Sequence, residues 1–192
     1  QTLQSALQSG KLQFNFHGQK WSDVLKWFAD QAGLSLVMDS EPPGPFTYVD
    51  EKEFTPTEAI DLLNSVLLSK NYTLIRRDKM LHLADTSDGI PYDVVQQIEV
   101  DELAERGRFE IVTVAFPLGT RPVATVVEEV TPLVGKHGQV TPMSAAKKLL
   151  VTETAGRLQA INVLIASIPE PKKVVPKPKP DPPKPVFATY PA

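Results

Sequence analysis

The chain reads as an α+β protein: two small two-layer domains in tandem, followed by an extended tail rich in proline and lysine. Three observations carry this. Apolar residues alternate in short runs such as Leu12, Phe14 and Phe16, the period of a half-buried strand. Between such runs they recur at helical spacing, as in Ala59, Leu62, Leu63, Val66 and Leu67. Eight of the 18 prolines fall between Pro169 and Pro185, so one segment stands apart from the rest. A helix with a single apolar stripe needs a sheet to cover it, which sets the two-layer expectation.

Residues 1–11 are polar and weakly patterned, a lead-in to the first domain at 12–85. After the strand at Leu12 to Phe16, a helix buries Trp21, Leu25, Phe28 and Ala32. Ser22 or a neighbour is placed to cap it, and Gly33 to end it in the left-handed region. Leu34, Leu36 and Met38 alternate in a second strand. Glu41-Pro42-Pro43-Gly44-Pro45 cannot continue a ladder and must be a loop, and Phe46 and Tyr48 open a third strand. Thr55-Pro56-Thr57-Glu58 has the form of a capping box with proline at the first helical position. Asn71 can close the helix that follows. Tyr72 to Ile75 and Met80 to Leu83 then flank Arg76-Arg77-Asp78-Lys79, which predicts a hairpin with a charged turn. The order is β-α-β-β-α-β-β.

Residues 86–108 form a connector with a turn at Asp88-Gly89-Ile90-Pro91. Val94, Val95, Ile98 and Leu103 suit a short helix or an extended segment packed on a neighbour. The second domain, 109–170, reads β-α-β-β-α. Phe109 to Phe116 is β-branched and aromatic, and Val123, Val126, Val127 and Val130 mark a helix with Gly135 as candidate C-cap. Gln139-Val140-Thr141 and Lys148 to Thr152 are strands. A last helix from Thr154 buries Leu158, Ile161, Leu164, Ile165 and Ile168 before Pro169 stops it. The second order repeats the first without its closing hairpin, as expected of related modules.

Residues 171–185 alternate lysine and proline. Fixed φ and like-charge repulsion predict a polyproline II spacer, roughly 40 Å long at about 3.1 Å per residue. Residues 186–192, beginning Val186-Phe187-Ala188, turn apolar and read as the start of a further module.

The formal net charge of −3 argues against a general nucleic-acid binder, which needs a basic face. Without cysteine there are no disulfides or thiolate metal sites. No apolar run approaches the ~20 residues of a membrane span, and the start at Gln1 reads as a processed form or excised fragment.

No motif supplies chemistry. His17, His82 and His137 share no metal-ligand spacing and read as surface or strand-edge residues. Gly-x-Ser-x-Gly is absent, and the serines lie mostly in helices or loops. Gly135-Lys136-His137-Gly138 resembles the loop that clamps the nucleic-acid backbone in KH domains. The strand-like Gln139 to Thr141 after it favours a helix cap and tight turn instead. Arg76-Arg77 with Lys79, and Lys147-Lys148, read as solvated turn residues. Glu128-Glu129 and Asp101-Glu102 point about 100° apart on helices and read as solvation. The expected site is therefore a set of faces and edges: no catalytic residue, cofactor or metal, but open sheet edges able to meet neighbours.

The second domain resembles the repeated periplasmic modules of bacterial secretins. The likeness rests on the strand Phe109 to Gly119, on Thr131-Pro132-Leu133-Val134-Gly135, on Leu149-Leu150-Val151-Thr152-Glu153-Thr154, on Ile161 to Ile165 and on Ile168-Pro169. The first domain resembles the short amino-terminal domain shared by secretins and TonB-dependent receptors. Phe14-Asn15-Phe16, Val24-Leu25 to Gly33-Leu34, Phe54 to Leu63 and the Tyr72 to Asp85 hairpin carry that match. The resemblance implies a KH-like β-α-β-β-α second domain, a periplasmic setting and homo-oligomeric rings. It also implies attachment to the outer membrane through a region outside this chain, and partners among inner-membrane components or secreted proteins. A signalling domain of a TonB-dependent receptor and a KH-like nucleic-acid binder are the alternatives. The lysine-proline spacer is a departure, because secretin modules are normally closely joined.

Overall fold

The computed structural model describes residues 10–90 and 94–170. The lead-in up to Ser9, residues 91–93, and everything from Pro171 onward, including the expected spacer and further module, lie outside the described residues.

In the first unit, β1 (Leu12–Gln19) pairs antiparallel with β3 (Phe46–Phe54), placing Phe16 opposite Tyr48. β2 (Ser35–Met38) runs parallel to β5 (Met80–Asp85), which pairs antiparallel with β4 (Tyr72–Arg77), in the order β2-β5-β4. Helices α1 (Trp21–Ala32) and α2 (Pro56–Leu67) join both sheets in one apolar core. Phe14 is its hub, edge-on to Phe16, Trp27, Tyr48 and Phe54 at centroid distances of 5.5–6.2 Å.

The local signals decide the helix ends. Gly33 closes α1 at φ 65°, and the Leu34 N–H returns to the Ala29 carbonyl at 2.8 Å. Ser22 does not cap α1 with its hydroxyl. The N-cap residue is Lys20, and the Glu41 carboxylate of the proline loop accepts the Ser22 N–H at 2.8 Å. The capping box of α2 forms in both directions. Thr55 Oγ1 accepts the Glu58 N–H at 3.3 Å, and Glu58 Oε2 accepts the Thr55 N–H at 2.9 Å. A 3₁₀ turn, Leu68–Lys70, follows, and Asn71 at φ 63° ends it.

In the second unit, β7 (Ile111–Pro117), β8 (Gln139–Met143) and β9 (Lys148–Thr154) form an antiparallel sheet, β9 central. The connector adds β6 (Gln97–Ile98), parallel to β7, giving the order β6-β7-β9-β8. Helices α3 (Val123–Val130) and α4 (Ala155–Ser167) cover one face. Val112, Val114, Phe116, Leu149 and Val151 meet Val126, Val130, Leu158, Ile161 and Ile165 there. The described residues are thus α+β, with a β-α-β-β-α second unit to which the connector adds β6.

Three local expectations are corrected. Gly135 is not a helix cap, and its φ is not positive. Pro132 lacks the N–H that would extend the ladder, so α3 stops at Val130 and a 3₁₀ turn, Thr131–Leu133, replaces its next turn. The strand expected from Phe109 starts at Ile111, because Gly107 to Glu110 closes a turn with the Glu110 N–H on the Gly107 carbonyl at 3.1 Å. Arg76 is not in a turn. β4 continues through it to Arg77, and Asp78 at φ 52° begins the reversal.

Candidate interaction surfaces and the junction between the units

Charge first becomes structural where the two units meet. A small apolar cluster of Ile75 from β4, Val95 from the connector and Ile111 from β7 bridges the two main cores. Beside it Glu110 Oε2 faces Arg76 Nη2 at 3.6 Å and Arg106 Nη1 at 3.8 Å, with all three side chains at most 6% exposed. Glu110 Oε1 accepts the Gly107 N–H at 3.0 Å, and Arg106 Nη2 donates to Gln96 Oε1 at 3.2 Å. Burial lowers the proton affinity of the Arg76 guanidinium and the Glu110 charge opposes this, so the arginine stays where the carboxylate compensates it. Arg76 was expected among solvated turn residues. Its place in β4 instead aims it across the junction.

The turn at Gly107 to Glu110 is also the N-terminal cap of α4. The Glu110 carbonyl accepts the Ala155 N–H at 2.8 Å, and the Arg108 carbonyl accepts the Gly156 N–H at 3.0 Å. On the other side Asp61 of α2 accepts the Phe109 N–H at 2.5 Å. One turn therefore ties the second unit's last helix to the first unit's second helix.

The Gly135–Gly138 loop faces the same junction. The Gly138 N–H closes a turn on the Gly135 carbonyl at 3.0 Å, so the tight turn is present without the cap. The Gly135 N–H, which a phosphate clamp would offer to an anion, instead donates to Glu153 Oε2 at 2.6 Å. Lys136 Nζ donates to Asn71 Oδ1 of the first unit at 2.8 Å. A carboxylate occupies the loop and its lysine is engaged, so the geometry does not present a backbone clamp. A β-carbon on Gly138 would overlap Val134 and the buried Glu153 carboxylate, and one on Gly135 would displace the Arg157 guanidinium.

His17 is exposed on β1 and His82 half-buried on β5. His137 departs from the surface expectation. It lies half-buried in the junction loop beside the Thr86 backbone, its Nε2 buried without a hydrogen-bond partner among the described residues. Among the described residues no three histidine, aspartate or glutamate side chains gather to hold a metal ion. Glu128 and Glu129 are exposed as expected. Glu102 instead caps its own 3₁₀ turn by accepting the Glu99 N–H at 2.8 Å.

The free surfaces are edges and faces. The edge strand β4 is sealed at its centre, where the buried Asn64 side chain accepts the Leu74 N–H at 2.7 Å and donates to its carbonyl at 3.2 Å. β2, β8 and the β1–β3 ribbon have edges on which the described residues place no further strand. The sheet face of the second unit away from its helices carries a shallow depression of about 420 Å³ lined by Val95, Gln97, Thr113, Thr141 and Leu150. On the opposite, helical side Val163 is 70% exposed. No helix among the described residues is long and apolar enough to cross a membrane.

The chain matches no family model, and no curated protein matches it. Solved structures do. A chain of the Klebsiella pneumoniae type II secretion system outer-membrane complex of PulD, PulS and the PulC HR domain superposes with a TM-score of 0.60 at 15% identity. The match covers 79% of this chain and 26% of that one. The N-terminal domain of the secretin XcpQ from Pseudomonas aeruginosa is similar at 14% identity, over 82% of this chain and 64% of that one, with a TM-score of 0.36. GspC–GspD of enterotoxigenic Escherichia coli, from the type II secretion system, is similar at 11% identity over 82% and 97%, also with a TM-score of 0.36. The chain spans a little under two thirds of the XcpQ N-terminal chains and about a quarter of the Klebsiella chain. Its fold is that of secretin N-terminal modules.

Proposed function

We propose that this chain is a periplasmic, non-enzymatic scaffold of a secretin-like outer-membrane complex, with 12–85 and 109–170 as its two modules. The observation that carries the reading is the superposition on the Klebsiella outer-membrane complex chain over most of this sequence. The surfaces agree with it. The depression on the second unit's sheet lies on one side and the exposed Val163 of α4 on the other. Two different faces on opposite sides allow head-to-tail contacts, and such contacts close into a ring when the rotation permits. The first unit offers the edges of β2 and of the β1–β3 ribbon to an inner-membrane component or a secreted protein, while Asn64 withholds the centre of β4.

The test is the mass of the full-length protein in detergent, by light scattering across a concentration series. A defined multimer that Val163→Glu disperses is expected. A monomer at every concentration overturns the scaffold reading.

A further inference from the structure

Besides the Asp61–Phe109 tie, two kinds of contact join the units. Arg76, Glu110 and Arg106 beside the Ile75–Val95–Ile111 cluster contain no histidine. The Gly135–Gly138 turn makes a second set: Lys136 bonds to Asn71, and His137 sits beside the Thr86 backbone. We infer that this turn is a latch between the units, closed while His137 is neutral and released when it takes up a proton.

The argument begins with the ring. Its Nε2 is buried with no hydrogen-bond partner among the described residues, and the ring sits beside the Thr86 backbone of the first unit. A proton on Nε2 would thus be an unsatisfied donor in a closed junction, which costs far more than the same proton in water. The surroundings add to this. His137 lies at a cleft of about 250 Å³ whose walls include Leu68 from the first unit and Phe109, which offer the ring no polar partner, together with Glu153, Thr154 and Arg157. The charged groups around it are Lys136 on its own turn, Glu153 on β9 and Arg157 on α4. Glu153 is the favourable neighbour, but its Oε2 already accepts from the Gly135 N–H and from Arg157 Nη1. Two cations and one committed carboxylate leave the balance against an imidazolium.

Burial is the largest influence on His137 and Lys136 the next, and both hold its proton affinity below the ordinary histidine value of 6.5; Glu153 and the Thr86 backbone pull the other way. In the open state the ring meets water and regains its ordinary value. The closed state therefore binds fewer protons than the open one. Closure is fully favoured above the ordinary histidine value and is lost as pH falls through it towards the closed-state value. Within that window one histidine changes the open-to-closed ratio by at most about tenfold per pH unit. The histidine-free contacts keep the units associated while the turn lifts.

The chain has no cysteine, so introduced cysteines label cleanly. Spin labels at exposed Glu51→Cys and Glu128→Cys report the distance between the units. One narrow distance distribution is expected at pH 8. A second, broader population should grow as pH falls below about 6.5 and vanish in His137→Gln, while His17→Gln and His82→Gln leave it in place. A distribution unchanged between pH 8 and pH 5, or a response that survives His137→Gln, overturns the latch. Should His137→Gln fail to fold, an NMR titration of the wild-type His137 ring decides. A midpoint below the ordinary histidine range supports the latch, and one at or above that range refutes it. None of these outcomes depends on ring assembly.

Discussion

Replacing Glu110 with alanine leaves two buried guanidinium groups facing each other with no counter-charge. At the observed 3.6 and 3.8 Å, and with an effective dielectric constant near 20, each attraction is worth about 4–5 kcal/mol before desolvation is subtracted. Burying three charged side chains cancels much of that gain, so the net contribution of the triad is small. Truncation is different, because the burial cost of the arginines remains while the compensation is gone. The expected loss is about 3–5 kcal/mol, a large share of a typical total of about 5–15 kcal/mol. Glu110→Gln should lose less, since its amide oxygen can still accept the Gly107 N–H. Urea unfolding with two probes separates local from global effects. Both tryptophans, Trp21 and Trp27, lie in the first core, so fluorescence follows that unit and circular dichroism follows both. In Glu110→Ala the circular dichroism transition should move to lower urea or split, ahead of the fluorescence. The double mutant with Arg76→Ala should be less damaged than the sum of the two single mutants, by about 1–3 kcal/mol. Strict additivity, or a loss below about 0.5 kcal/mol in Glu110→Ala, would refute the claim that the triad couples the units.

Two further outcomes are expected. Asn64→Ala removes both bonds to the Leu74 backbone and leaves two buried groups unpaired, so the urea midpoint should fall by an amount equivalent to about 2–4 kcal/mol. The same variant opens the β4 edge, which sedimentation at rising concentration would detect as self-association. Gly156→Ala should destabilise although alanine favours a helix by about 1 kcal/mol. The new β-carbon would stand 2.6 Å from Arg108 Cγ and 3.1 Å from its carbonyl oxygen, and displacing that turn uncaps α4. Hydrogen exchange at the Ala155 and Gly156 amides should then quicken more than exchange in β9; equal protection in both proteins would contradict the capping role.

The elements were legible wherever the determining interaction is local. The capping box at Thr55 and Glu58, the left-handed Gly33 and Asn71, and the apolar stripes of α1 and α4 all work within one or two turns. The composite junction was not legible, because its parts come from Asn71, Arg76, Thr86, Arg106, Glu110 and Lys136, spread over more than sixty residues. Signals for it existed. Glu110 is a carboxylate inside an otherwise β-branched and aromatic run, and Asn64 interrupts the apolar stripe of α2; each is a polar residue that only a specific buried partner makes tolerable. Arg76 carried the opposite signal. Beside Arg77, Asp78 and Lys79 it looked like turn surface, and only the register that places it opposite Leu81 shows that it belongs to β4.

The sequence by itself determined the α+β class, the order of strands and helices, and the lack of a local catalytic motif, because periodicity, caps and turns are properties of neighbouring residues. Tertiary structure decided which strands remain as free edges, which charges are buried, and that the Gly135–Gly138 loop turns inward to the other unit. Those outcomes depend on long-range pairing. Whether a lysine, a histidine or an arginine meets water or a partner is set by the chain that folds against it, which no local pattern records.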